Sequence, residues 1–485
     1  MIKENAIGYL PDERPPIWKL LLYAIQQVIV MFPATITVAL ITGFHVSTTI
    51  FASGLATICF TLVTGRKIPM YYGSSFAYLG AISGLMSSQA LMDKLSPDAA
   101  LQLAAYNNCL TSVLPVEAIQ YAQFGIVLSG LVSIAAGILV KAAGPKAVEK
   151  ILPPTITGPV ALIIGLTLAG TALSDAAPAA NFSGNGMLVW TVSLVTLLST
   201  ILFTKYLKGF LGQLPLLLGV GVGCLVAAVI YFVGDVNLFR PIDTSSIVSA
   251  STWKLGAGNI FALPSFSIPK ASLMAVAAIM PIAIATIPES TAHIYQLDIY
   301  VNDLAAKKGK GKYGLDKLLH KNLIGDGIGD MVTGFIGGPA GTNYGENIST
   351  MAITRVFSVP VIMVAGIIAM IIACFTPLIR GIYAIPMAVI GGIEIYLFGA
   401  IAAQGIAIMI DKKVDMFSSK NIAVIASILI IGLGGNYAFG GNIPIGGINV
   451  PCIAGAAIFG ILLNLLLSIG DKKRSANAVS TETQD

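Results

Sequence analysis

The sequence predicts an all-α polytopic membrane protein with fourteen transmembrane spans, and three observations predict it. The 485 residues are 56% hydrophobic and only 11% charged, against about 25% charged in a soluble globular domain. Uncharged stretches long enough for a bilayer recur along the whole chain. Lysine and arginine fall almost entirely on one set of alternating loops. The first observation excludes a soluble enzyme, a nucleic-acid binder and a disordered chain, because a water-facing surface of this size needs more charge. The 51 glycines and 24 prolines fit membrane helices, where both are commoner than in soluble ones.

The elements follow in order from a helix needing about 20 apolar residues to cross. Stretches without Asp, Glu, Lys or Arg occupy 20–65, 68–92, 118–140, 151–174, 176–204, 209–234, 356–379 and 421–470. The first and last are long enough for two spans each. Gly43 with His45 divides the first, and the glycine-rich 432–447 divides the last. Four further apolar stretches carry acids: 271–297 has Glu289, 318–338 has Asp326 and Asp330, 342–354 has Glu346, and 381–410 has Glu394. Ten uninterrupted spans and four acid-bearing ones make fourteen.

Orientation follows from charge. With the N-terminus cytoplasmic and every span crossing, 23 of the 28 lysines and arginines lie inside. The other side keeps only Lys94, Arg240, Lys254, Lys270 and Arg380. This is the positive-inside asymmetry, and it places both termini in the cytoplasm of a multi-pass cell-membrane protein. The first sixteen residues are polar and the apolar run after them is too long for a signal peptide, so the first span is expected to direct targeting. The five cysteines stand singly, with no CxxC, and neither a metal nor a cofactor is expected.

Fourteen divides into two halves of seven, and an odd number inverts the second half. Tyr72-Gly73-Ser74-Ser75-Phe76-Ala77 sits third in the first half, and Gly341-Thr342-Asn343-Tyr344-Gly345-Glu346 sits third in the second. Pro153-Pro154 opens the fifth span and Pro386 opens the twelfth. Interrupted spans at matching positions of inverted halves point to a transporter's binding site.

Ionisable side chains within a bilayer are functional candidates. Glu289 and His293 lie four apart and share one helix face, beside a kink expected from Pro281 and Pro288. Such a carboxyl is a candidate for taking and releasing a proton. Glu346 follows Gly337-Gly338-Pro339-Ala340-Gly341, a string that predicts an extended segment and then a half-helix with its N-terminus inside the membrane. Free amides gather there and can meet carbonyl oxygens, while the carboxylate accepts from ligand N–H groups. Ser74, Ser75 and Phe76 add hydroxyls, amides and an aromatic face. A flat heterocycle with alternating N–H and C=O groups fits that inventory.

Residues 341–358 resemble the signature of the nucleobase–ascorbate transporter (nucleobase:cation symporter) family, in its bacterial uracil-permease branch. Glu346, Asn347, Thr354 and Arg355 match it, as do Ile68-Pro69 with Gly73–Ala77, Glu289 with His293, and the early Gln26 and Met31-Phe32. The resemblance covers roughly residues 14 to 470. It implies a 7+7 inverted-repeat fold with a core domain (17–142 and 271–380) and a gate domain (151–260 and 381–470), followed by a cytoplasmic tail (471–485). It implies proton-coupled symport of uracil or a related nucleobase by alternating access. Glu289 and Glu346 carry over as base-binding carboxylates and His293 as their polar partner, all three near the coupling proton. Phe76, Tyr344, Gly345 and Ser75 carry over as backbone or stacking contacts. A homodimer is the usual assembly of proteins like this.

Four features depart from the family pattern: Ser349 where Gly is usual, Gln26-Gln27 where Gln-His is usual, an acid at Glu394 in a gate helix, and the long loop 93–117. The alternatives are a xanthine or purine symporter, for which Gln is expected at the position of Glu346, and an anion transporter of the same fold. An enzyme is not expected: HExxH, GxSxG and a P-loop are all lacking, and Gly309-Lys310-Gly311-Lys312-Tyr313 reads as a solvated basic run.

Overall fold

The computed structural model describes residues 8–107, 111–144, 151–179, 182, 184–209, 211–240, 260–445 and 448–481, with side chains to 469. Lys146, Lys150, Lys254 and the side chains of the tail 471–485 lie outside the described residues. The chain is mostly helical, and ten of its described helices are long and apolar enough to cross a membrane. They are α1 (Ile17–Thr42), α2 (Val46–Val63), α4 (Val116–Ala143), α5 (Pro154–Ala176), α6 (Gly186–Tyr206), α7 (Pro215–Gly234), α8 (Leu273–Lys307), α12 (Met387–Asp411), α13 (Ser419–Phe439) and α14 (Cys452–Ile469). Two shorter apolar helices, α3 (Phe76–Met86) and α11 (Val359–Ala373), lie among them. The acid-bearing stretches after α8 form α9 (Leu319–Ile336) and α10 (Gly345–Thr354).

Local chemistry sets the breaks. Gly43, at φ +74°, ends α1 in the left-handed region that glycine tolerates. Pro153 and Pro386 stand just before α5 and α12, where a missing N–H costs nothing. Pro281 sits in a 3-10 turn, Met280–Ile282, that interrupts α8. Pro288 stands inside the helix that continues beyond that turn. Pro288 leaves the Ile284 carbonyl without its helical donor. The segment 93–117 is not an open loop either, since Pro97–Asn107 is helical.

The extensive helix pairs fall into two sets. In one, α4 packs on α9, α11 on α2, α9 on α2, α1 on α11 and α8 on α4. In the other, α12 packs on α5 and α6, α13 on α5 and α14, and α6 on α7. Exchanging each helix for the one seven places along the chain maps each set onto itself. Glycines allow the close crossings. A Cβ on Gly54 would strike the Gly366 carbonyl, and one on Gly130 would strike the Gly327 carbonyl, so α2–α11 and α4–α9 meet backbone to backbone, as membrane helices do through small residues. Large apolar side chains of α6, α7 and α13, among them Leu198, Leu225, Phe232 and Ile430, point outward.

Ahead of α1 the chain forms a strap. Tyr9 N–H donates to Arg355 O at 2.8 Å, Phe357 N–H to Tyr9 O at 2.8 Å and Val359 N–H to Pro11 O at 3.1 Å. Glu13 receives Lys308 Nζ at 2.6 Å and Lys310 Nζ at 2.8 Å. Partial burial works against its ionisation, but the two ammonium groups and the Leu10 amide outweigh that and hold the Glu13 carboxyl down at about 2.

Candidate functional site

Two short strands make the centre of the site. β1 (Tyr72–Ser74) and β2 (Gly341–Asn343) pair antiparallel, with Tyr72 opposite Asn343, Gly73 opposite Thr342 and Ser74 opposite Gly341. Each strand leads into a helix, α3 or α10, so both helices present their unpaired N-terminal amides beside the strand pair. The extended conformation follows from Gly337, whose φ of +100° ends α9, and from the glycines and Pro339 after it. Gly73 is required by a close approach, because a Cβ there would lie inside the Tyr344 ring.

The residues singled out from the sequence come together around this pair. Glu346 is the second residue of α10, and it keeps a solvent-accessible face while protein surrounds it. Glu289, half-buried on α8, lies close enough for its charge to interact with that of Glu346. His293, one turn along α8, is buried, reaches the backbone of Asn343 and leaves Nδ1 without a hydrogen-bond partner. Its ring lies against Gly345, where a Cβ would stand 3.0 Å from Nε2. Phe76, half-buried, begins α3 and packs on the apolar cluster of Leu168, Ala172, Ile393 and Leu397.

Tyr344 and Ser75 are buried and hydrogen-bonded within the protein. The Tyr344 hydroxyl donates to Ser74 O at 2.9 Å and shares a 3.0 Å hydrogen bond with Thr35 Oγ1. Its ring stacks on Tyr71, with centroids 6.5 Å apart. Ser75 Oγ accepts from Ala77 N–H at 3.3 Å, and Ser75 N–H donates to Ala340 O at 2.9 Å. Both residues fix the start of a half-helix.

Sequence reasoning missed the polar network that holds the strands. Tyr72 Oη donates to Asp330 Oδ1 at 2.6 Å, and Gly341 N–H donates to the same oxygen at 2.8 Å. Asn343 Nδ2 donates to Asp326 Oδ1 at 2.8 Å and to Asn322 Oδ1 at 3.2 Å. The Ser290 hydroxyl donates to Asp326 and accepts from Asn322 Nδ2 at 2.7 Å. Ser290 is the neighbour of Glu289, so the network ties the carboxylate-bearing turn of α8 to α9 and β2. Its signal in the sequence is the spacing of Asp326 and Asp330, four apart and therefore on one helix face. Asn347 is anchored separately, donating from Nδ2 to Gln27 Oε1 at 2.8 Å.

Chemically, the site offers two carboxylates as acceptors, two helix N-termini as donors, an imidazole and an aromatic ring on a buried, hydrogen-bonded frame. Among the described residues, no group of three or more His, Cys, Asp or Glu side chains is arranged to hold a metal ion.

Comparison with known proteins adds to this geometry. The profile of a family described as "Permease family" matches residues 18–441. A uracil permease of Bacillus caldolyticus is 35% identical over 465 residues, covering 94% of this chain and 94% of its own. A uracil permease of Bacillus subtilis (strain 168) is 33% identical over 455 residues, covering 92% of each. In fold, the transmembrane domain of a cyanobacterium bicarbonate transporter, BicA, aligns with a TM-score of 0.55 at 14% identity, covering 93% of this chain and 98% of that one.

Proposed function

Because this chain belongs to the Permease family, we propose that it imports uracil or a closely related nucleobase across the cell membrane together with protons. Family membership makes it a multi-pass membrane transporter and not an enzyme. The substrate is taken from the uracil permeases it resembles over most of its length. The observation that carries the reading is the meeting of Glu289, Glu346 and His293 beside the N-termini of α3 and α10.

In this reading the carboxylates of Glu346 and Glu289 accept the ring N–H groups, and the amides at Gly345 and the start of α3 donate to the carbonyls. Phe76 stacks on the ring. Gly345 leaves room for the base and for His293, while Ser75 and Tyr344 hold the half-helices in place. Uracil is neutral near pH 7, so voltage alone cannot concentrate it. Protonation within the Glu289, His293 and Glu346 group supplies the coupling.

All fourteen spans cross, those of α3 and α10 being completed by the strands β1 and β2 ahead of them, both termini lie in the cytoplasm, and the halves are inverted repeats. The helix-pairing pattern, which survives a shift of seven, supports this. Residues 17–142 and 271–380 then form the core, and 151–260 and 381–470 form the gate, in keeping with the two sets of packed helices. Alternating access moves one against the other. A xanthine carrier is the second reading, disfavoured by the acid at Glu346. An anion carrier of the same fold would meet two carboxylates in its site, which repel it.

The test is uptake of radiolabelled uracil into proteoliposomes with an imposed pH gradient and a panel of competing bases. Uptake should rise with an inward proton gradient and collapse with a protonophore. Accumulation unchanged by the protonophore, or strictly dependent on sodium, sinks the proton-coupled reading.

A further inference from the structure

Glu394 lies on α12 with its side chain fully buried and neither carboxylate oxygen in a hydrogen bond of normal geometry. It faces Asp175, at the end of α5, within hydrogen-bonding reach. The approach is forced by Gly391, one turn earlier on α12, where a Cβ would strike the Asp175–Ala176 backbone. The charged partner of both acids is Arg240. Arg240 donates from Nε to Ile385 O at 2.9 Å and from Nη1 to Ser112 Oγ at 3.4 Å, while Nη2 has no partner. Among the described residues, Tyr106 and Tyr383 also lie near Arg240. Among the described residues, the other helices packed near this point of α12 bring apolar or hydroxyl side chains, with Val38 of α1 and Leu79 of α3 in the apolar cluster around Ile393. From α6 come Ser193 and Thr196, whose hydroxyls are spent on the Ala176 and Val192 carbonyls, and from α7 comes Cys224, in the apolar cluster around Val389.

Two carboxyls and one guanidinium share this space. Two carboxylates held together in a low-dielectric setting do not both ionise readily, and such pairs retain one proton between them. One proton together with Arg240 also brings the cluster to neutrality, as burial demands.

We propose that Asp175 and Glu394 share a single proton, forming a second protonation site on the gate helices, apart from the carboxylates at the strand pair. In the proposed orientation this site lies toward the outside. Release of the proton leaves two carboxylates facing one guanidinium, which draws Arg240 toward them and away from Ser112. Arg240 is thus a positioning residue, through which external pH acts on the contact between the α12 entrance and the segment 93–117. The effect on uptake rests on the transport reading; the existence of the shared proton does not.

The experiment is difference infrared spectroscopy of the purified protein in lipid nanodiscs, recorded between acid and alkaline pH, read beside uracil uptake. We expect one protonated-carboxyl band that is lost in Glu394→Gln and in Asp175→Asn but kept in Glu289→Gln. Arg240→Gln should roughly double it, since without the cation both acids hold protons. The external-pH midpoint of uptake should shift by about one unit in Glu394→Gln, with uracil affinity unchanged. A carboxyl band identical in wild type, Glu394→Gln and Asp175→Asn overturns the shared proton. A band that behaves as expected beside superimposable pH profiles overturns the action of this site on uptake. Absence of uracil uptake by the wild type defeats the substrate reading and leaves the infrared result standing.

Discussion

Glu346 carries a side chain that can only accept, at a place where backbone donors are already plentiful. Glutamine in the same volume offers one acceptor and two donors. A hydrogen bond to a charged acceptor contributes about 1.5–3 kcal/mol, so Glu346→Gln should weaken uracil binding roughly ten- to a hundredfold. Xanthine should lose less, because its imidazole edge mixes acceptor and donor. Calorimetry of both bases on the folded variant decides, and equal weakening of the two removes Glu346 as the discriminating contact. Glu289→Gln should abolish gradient-driven accumulation; wild-type accumulation by that variant, measured as internal over external label, rules out an essential role. Both residues were legible because a charge in an apolar stretch needs a reason. The duties of Ser75 and Tyr344 were not. The Ser75 amide held by the Ala340 carbonyl and the Tyr344 ring wedged over Gly73 depend on what the other half of the chain brings, and local sequence carries no trace of that.

Among the elements, the helices were legible from uncharged stretches, and their ends from Gly43, Pro153 and Pro386. The pairing of β1 with β2 was not, because three-residue strands have no periodicity to read. Asp175 escaped notice as a span-ending acid, although it meets Glu394 from more than two hundred positions away. Partner choice between helices rests on glycines that look alike in sequence. Gly54→Val should push α2 from α11, and Gly327→Val should push α9 from α4, each lowering stability by about 1–3 kcal/mol through overpacking. Gly221→Ala, on α7 with nothing near its added methyl, should be neutral or slightly stabilising. Thermal unfolding in detergent compares them, and equal midpoints for all three would show that these crossings tolerate bulk.

At the scale of the whole molecule, the N-terminal strap gathers the α10–α11 corner and the loop after α8 into one assembly. Its ionic part has a definite pH dependence. Glu13 is held at about 2, against 4.5 for an unperturbed carboxyl. Its contribution is therefore complete above pH 4.5 and is lost as pH falls toward 2. Glu13→Gln should lower the unfolding midpoint at pH 7, by an amount corresponding to about 2 kcal/mol after allowance for partial exposure. That deficit should narrow between pH 4.5 and 3. A deficit independent of pH would assign the loss to packing and not to charge.

The strand pair also constrains how the protein is made. Tyr72, Gly73 and Ser74 leave the ribosome long before their partners at 341–343 exist. During that interval Thr57 and Ser53 can hold the Tyr72 amide and carbonyl, but the Tyr71 carbonyl and the Ser75 amide lack their partners at Tyr344 and Ala340, in surroundings that offer no water to replace them. The Asp330 carboxylate that later receives Tyr72 Oη and Gly341 N–H arrives in the same late portion. The first half is thus an unfinished product for most of translation, and a chain terminated before β2 cannot complete the place where its own residues were to act. Until this two-stranded ladder closes, the nascent polypeptide lacks half of the strand pair on which the proposed site is built.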